Sequence, residues 1–196
     1  MSAKVLRVML VDIPAFHTPM LEAEIEEAGY QLIASLQEPS GLLKAFTTAR
    51  PELLVINLET PDKTILDTLH IISRDYPCPI VIFTRDDDAS IIQLAIRAGV
   101  SAYVVDGLMN KRIKPVIDVA LARFNEMQSL RSELDRARSS LEERKLIDKA
   151  KGLIMAQRQV TEEEAYSSLR KAAMEANKKL IDVAREIISV MALMKS

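Results

Sequence analysis

The chain has 196 residues, of which 48% are hydrophobic and 28% charged, which excludes wholesale disorder; no apolar run reaches the ~18 residues that span a membrane. A single cysteine, Cys78, excludes an intramolecular disulfide and a cysteine-built zinc or iron–sulfur centre, and two histidines give no basis for a His-rich metal site. The net charge of −2 is unevenly spread, −4 over residues 1–125 and +2 over residues 142–196, which points to two modules with different partners.

The first elements alternate strand and helix. Residues 5–11 (VLRVMLV) read as a strand. Residues 19–28 read as a helix closed by Gly29. Strand 32–36, helix 41–48 (stopped before Pro51) and strand 53–57 follow. Helix 65–75, strand 79–84, helix 89–98 capped by Gly99, and strand 102–105 complete the series. Most of these strands are short and almost continuously apolar, as strands buried on both faces are. The pattern predicts an α/β fold: a doubly wound five-stranded parallel sheet with helices on both faces and its sites at the carboxyl ends of the strands.

After Pro115 the pattern becomes helical, with no proline from 116 to 157. Met127, Leu134 and Leu141 alternate with Leu130 and Ala137 at steps of three and four, a heptad seam. The favoured reading is a homodimer through a coiled-coil linker; the other is packing on the chain's own front module. A break is expected at Gln159–Val160. Thr161 with Glu164 fits a capping box, and Glu162 and Glu163 suit a helix N-terminus. A helix then runs to 176, Asn177 marks a turn, and a last helix spans 180–194. The expected divisions are residues 1–115, a helical linker at 116–141, and a three-helix tail at 142–196.

The front module resembles the receiver domain of bacterial two-component response regulators, through VMLVD, PELLVINLETP, PIVIFT and GVSAYVV. That resemblance implies magnesium-binding acids after the first strand and a phosphoacceptor aspartate ending the third. It also implies a hydroxyl after the fourth strand and a lysine after the fifth. Here Asp12 is one such acid, but its neighbour is the apolar Ile13. The phosphoacceptor position is Asn57, whose amide is a poor nucleophile, and the lysine position is Asp106, a reversal of charge. Thr84 matches the hydroxyl, and Tyr103 stands at the position coupled to it. Glu59 and Asp62 read as solvated loop acids. The resemblance therefore implies a pseudo-receiver that makes protein contacts without magnesium or aspartyl phosphorylation.

The tail resembles the ANTAR domain, the RNA-binding antitermination module of bacterial regulators. Its marks are Ala150-Lys151-Gly152 with Met155, then Glu164-Ala165-Tyr166 with Leu169-Arg170, Ala173-Met174 and Val183-Ala184. With AYVVDGL, IKPVIDVALARF and the ERK-x-I-x-x-AKG run, the chain as a whole is similar to the nitrate/nitrite-assimilation antiterminators. That resemblance implies leader mRNA hairpins as ligand, with binding that prevents a terminator from forming. It also implies restraint by a nitrate/nitrite-binding sensor protein of the periplasmic-binding-protein fold, and it implies no enzyme activity and no cofactor. The N-terminal apolar stretch leads directly into a strand pattern rather than a signal peptide, so a cytoplasmic location is expected, with no membrane partner.

The residues support an RNA surface on their own terms. Arg144, Lys151 and Arg158 are seven apart on one helical face, and Lys145 and Lys149 share an adjacent one. Arg170, Lys171, Lys178 and Lys179 add positive charge near the second turn. Such cations neutralise phosphates. The same cations also suit the solvated outside of a helical bundle. Tyr166 is the only aromatic after Phe124, so recognition must rest on RNA shape and a few loop bases rather than on serial stacking. Ala150, Gly152 and Ala165 permit close approach of RNA or of another helix, and Met155 and Met174 read as core. Two other classes stay open: a DNA-binding response regulator, which the largely apolar last helix fits poorly, and a pure protein-interaction module.

Overall fold

The computed structural model describes residues 5–13, 19–106 and 113–193. Five strands are β1 (Arg7–Asp12), β2 (Gln31–Leu36), β3 (Leu53–Asn57), β4 (Ile80–Thr84) and β5 (Ala102–Val105). The helices are α1 (Pro19–Glu27), α2 (Leu42–Ala49), α3 (Lys63–Asp75), α4 (Ala89–Arg97), α5 (Ile113–Arg158), α6 (Glu162–Glu175) and α7 (Leu180–Leu193). All strand pairs are parallel, in the order β2-β1-β3-β4-β5. Strand and helix types agree with the sequence reading; ends differ by one or two residues, except that α5 begins at Ile113, three residues before the expected start at Val116, and takes in Pro115. Val5 lies outside β1 and is half exposed. Gly107, Leu108 and Met194, which entered that reading, lie outside the described residues.

The sheet is buried on both faces because its strands are apolar at successive positions. Met9, Val11, Leu54, Ile56, Ile80 and Ile82 pack with Leu42, Phe46, Ile65, Leu69, Ile72 and Ala95 from α2, α3 and α4. Their alternating neighbours Val8, Leu10, Leu53, Val55, Val81 and Phe83 pack with Leu21 and Ile25 of α1 and with Ile113, Ile117 and Ala120 of α5. The period-two alternation of strand side chains thus builds two layers from one sheet. Core packing continues past Pro115 into α5, where the proline occupies the first turn and costs no helical hydrogen bond. Tyr30 holds this root of α5: its hydroxyl donates to Asp118 Oδ1 at 3.2 Å, and Lys114 Nζ lies 5.4 Å from its ring centre. Burial and the nearby Asp118 carboxylate push the Tyr30 phenol up to about 12.

Three helix ends share one device, a left-handed residue just past the cap. At Gly29, Gly99 and Asn177 the backbone turns with φ of 87, 94 and 51°. Paired N–H bonds then return to the last carbonyls, as Lys178 N to Ala173 O at 3.0 Å and Asn177 N to Met174 O at 3.2 Å do for α6. Gly99 is also sterically required, since a Cβ there would stand 1.9 Å from Ser73 Oγ.

The chain divides into two compact units, Met1–Gln128 and Ser129–Ser196. From 129 to 145 every residue of α5 is exposed, the mark of a helix polar around most of its circumference. The second unit has a core of its own. Ala150 and Ile154 of α5, Ala165, Leu169 and Ala173 of α6, and Val183 and Ala184 of α7 are buried together. Four alanines in this set let the helix backbones approach closely.

Candidate nucleic-acid interface

The carboxyl ends of the strands bring Asp12, Asn57 and Thr84 together and bury all three. Asp12 and Asn57 are register partners on β1 and β3, and Asn57 Nδ2 donates to Asp12 Oδ1 at 2.8 Å. The amide at the phosphoacceptor position thus occupies an oxygen that a magnesium ion would need. Ile13 packs into the apolar cluster beside it. Thr84 Oγ1 donates to the Glu59 carbonyl and accepts from Asp86 N at 3.1 Å, so its hydroxyl is committed within the fold. Tyr103 is half-buried and donates to the Asp86 carbonyl at 3.1 Å; burial, then the Asp86 carboxylate, raises its phenol above the usual range. Asp106 is exposed at φ 51°, and its N–H donates to the Thr84 carbonyl at 2.9 Å. Acids at 59, 86, 87, 88 and 106 surround these strand ends. The residues present do not fit magnesium or a phosphoryl group. Asp62 is not a free loop acid: it caps α3, accepting from Ile65 N at 2.8 Å.

The tail presents two groups of cations. On α5, Arg144, Lys145, Lys149 and Arg158 are exposed, and Gly152 is exposed with open space where a Cβ would stand. Lys151 differs from them. Its side chain is only 14% exposed and reaches both Asp148 Oδ1 and Glu162 Oε1 at 2.7 Å, clipping α5 to the start of α6. Those hydrogen bonds raise the Lys151 ammonium above its ordinary value and hold Asp148 below its own. The capping box forms as the sequence suggests: Glu164 N donates to Thr161 Oγ1 at 3.3 Å, and Thr161 N donates to Glu164 Oε2 at 2.9 Å. The Thr161 N–H and hydroxyl hold the Glu164 carboxyl below its usual value.

The second group surrounds an open groove of about 540 Å³ at the α6–α7 turn, lined by Tyr166, Arg170, Ala173, Met174, Asn177, Lys178, Lys179 and Leu180. Tyr166, Arg170 and Met174 follow one another at four-residue steps on α6, one ridge of the helix. Tyr166 is 44% exposed, so it is not an interior tyrosine, and Met174 is 73% exposed rather than core as its sequence suggested. Leu169 and Ala173 take the core positions, and Met174 falls one residue beyond them. Lys178 pairs with Glu186, and Lys179 precedes α7, its carbonyl accepting from Asp182 N at 3.0 Å. Both lysines stand where the helix macrodipole disfavours positive charge. Lys171 is outside the groove lining and lies 3.9 Å from Glu175.

Residues 135–188 match the ANTAR domain. The matched stretch spans the end of α5, α6 and most of α7, and a receiver-like fold precedes it. The transcriptional regulatory protein PdtaR of Mycobacterium tuberculosis is 25% identical over 185 residues, covering 94% of this chain and 90% of that protein. The nitrate regulatory protein of Klebsiella oxytoca is 35% identical over 88 residues, 45% of this chain but 22% of that longer protein. The signal receiver domain of a modulated diguanylate cyclase from Desulfovibrio desulfuricans G20 superposes with a TM-score of 0.54. At 15% identity, over 63% of this chain and 99% of that domain, the likeness concerns the fold alone. The two relatives, PdtaR and the nitrate regulatory protein, are both regulatory proteins. Among the described residues no helix is long and apolar enough to cross a membrane.

Proposed function

We propose that the chain is a transcription antitermination regulator, whose ANTAR domain binds hairpin RNA in a nascent leader and keeps a terminator hairpin from forming. The observation that carries this reading is the ANTAR match over residues 135–188. It is supported by the exposed cations on α5 and by the cationic groove at the α6–α7 turn. Arg144, Lys145, Lys149 and Arg158 contact phosphates, and exposed Gly152 lets an RNA strand approach the α5 backbone. Binding supplies the free energy for this switch, and no chemical step is needed.

The other assignments belong to the same proposal. Residues 1–115 serve as a pseudo-receiver that docks a sensor protein. The partner in this reading is a nitrate/nitrite-binding protein of the periplasmic-binding-protein fold, acting in the cytoplasm; the resemblance to nitrate/nitrite-assimilation antiterminators supports it. Residues 116–141 form a dimer seam, in which Met127, Leu130, Leu134 and Leu141 are 49 to 66% exposed in the single chain. A dimer presents two domains, 142–196 in each copy, to two hairpins and gains avidity from their effective concentration. The test is direct comparison of binding to leader stem-loop RNA and to duplex promoter DNA at one salt concentration. Preference for RNA is expected; equal or tighter binding to duplex DNA overturns the reading.

A further inference from the structure

We propose that the groove at the α6–α7 turn receives one unpaired RNA base, stacked on Tyr166, with its neighbouring phosphates on Arg170 and Lys179. The proposal rests on the RNA-binding reading above and adds which part of the RNA sits where. Its first ground is charge. Three of the lining residues are cations and none is acidic, in a chain whose overall charge is −2. Lys178 is engaged by Glu186, while among the described residues Arg170 and Lys179 carry no ion pair. These two are the cations available to an incoming anion.

The second ground is the apolar character of what lies between them. An exposed aromatic ring and an exposed thioether, eight residues apart on one ridge, flank Arg170 on both sides. A purely anionic ligand has no use for either, whereas a nucleobase brings a π-face for the ring and an apolar edge for Met174. Ala173 and Leu180 line the groove with small and aliphatic surface, and the Asn177 amide offers both a donor and an acceptor to a base edge. Bases in a paired stem are stacked on their neighbours, so the occupant comes from a loop or bulge. The macrodipole also disfavours Lys178 and Lys179 at the N-terminus of α7 when the chain is alone. An RNA phosphate relieves that repulsion.

The test uses the full chain and a stem-loop RNA enriched for binding from a pool with a randomised loop, each loop position replaced in turn by 2-aminopurine. Fluorescence of the probe should fall on binding at one loop position and not at the others. Tyr166→Ala should weaken binding about 5- to 150-fold, the range of one base–aromatic stack, and abolish that quench without altering the salt slope. Tyr166→Phe should keep both affinity and quench. Arg170→Ala and Lys179→Ala should each lower the slope of log affinity against log salt by about 0.7, the increment for one single-strand phosphate. Circular dichroism of each variant checks the fold. Tight RNA binding with no quenched position, or wild-type affinity in Tyr166→Ala, overturns the base pocket and leaves the groove to another ligand, such as an acidic peptide. If no RNA is enriched, the RNA-binding reading itself fails, and the base pocket with it.

Discussion

Asn57 shows what a single residue does to the receiver-like pocket. Its amide donates to the Asp12 carboxylate at 2.8 Å, a neutral donor satisfying a buried acid. Asn57→Asp replaces that donor with a second carboxylate facing the first. The variant should lose about 1.5–3 kcal/mol of stability at neutral pH, the worth of a hydrogen bond to a charged group, measured by urea unfolding. It should also take no label from acetyl phosphate with magnesium, because Ile13 and Asp106 remain; rapid magnesium-dependent labelling would refute this account of the pocket. Gly152 makes the opposite case. A Cβ there meets nothing within 4 Å, so Gly152→Ala should stabilise the tail by about 0.5–1 kcal/mol in thermal unfolding. If RNA approaches the backbone at this point, the same substitution should weaken RNA binding. The positions of Asp12, Asn57, Thr84 and Asp106 were legible in the sequence because each ends a strand or follows one. Their hydrogen bonds were not, because those depend on strand register across 45 residues between Asp12 and Asn57. Asp62 left a sequence signal, an acid three residues before the buried Ile65, but starting the helix at 65 hid the cap.

At the scale of elements, the joint between α5 and α6 depends on polar contacts at its rim. Lys151 bridges Asp148 and Glu162, and Thr161 and Glu164 cap α6. Both Asp148 and Glu164 are held below their ordinary values of 3.8 and 4.5. A carboxyl depressed in the folded state contributes stability above its unfolded value and loses it as pH falls through the folded one. The tail should therefore lose stability as pH drops below about 4.5, and Lys151→Ala should reduce the Asp148 part of that loss. Thr161→Ala should cost about 1 kcal/mol at neutral pH, since the side-chain cap is removed, while Glu164→Gln, which takes away the titrating carboxyl, should flatten the acid limb of the thermal midpoint against pH. An acid limb that Glu164→Gln leaves unchanged would show that Glu164 titrates alike in the folded and unfolded chain. The capping box was readable as Thr161 followed by Glu164, because it is local. The Lys151 clip was not, because heptad-like spacing with Arg144 and Arg158 gives a common face without saying what the face meets. Met174 was misread for a related reason: hydrophobicity alone does not separate a core position from the residue one step beyond it.

At the scale of the whole molecule, the parallel sheet followed by a long helix was legible, since strand-like runs and helical periodicity recur over long windows. What the heptad seam meets was not, because the same apolar spacing serves a second copy or the chain's own surface. Leu134 and Leu141 are exposed in the single chain, so Leu134→Asp with Leu141→Asp should convert a dimer to a monomer while the receiver-like fold persists. Sedimentation velocity measures this, and unchanged mass would remove the seam from the account of assembly. The central claim is that binding of leader RNA by this chain lets polymerase pass a terminator. The most direct measurement is single-round transcription in vitro through a leader and terminator, with the chain added before elongation. Readthrough should rise with wild-type protein and stay at its basal level with Tyr166→Ala and Lys179→Ala combined. Readthrough that the wild-type chain leaves unchanged, on a leader it demonstrably binds, would contradict the account.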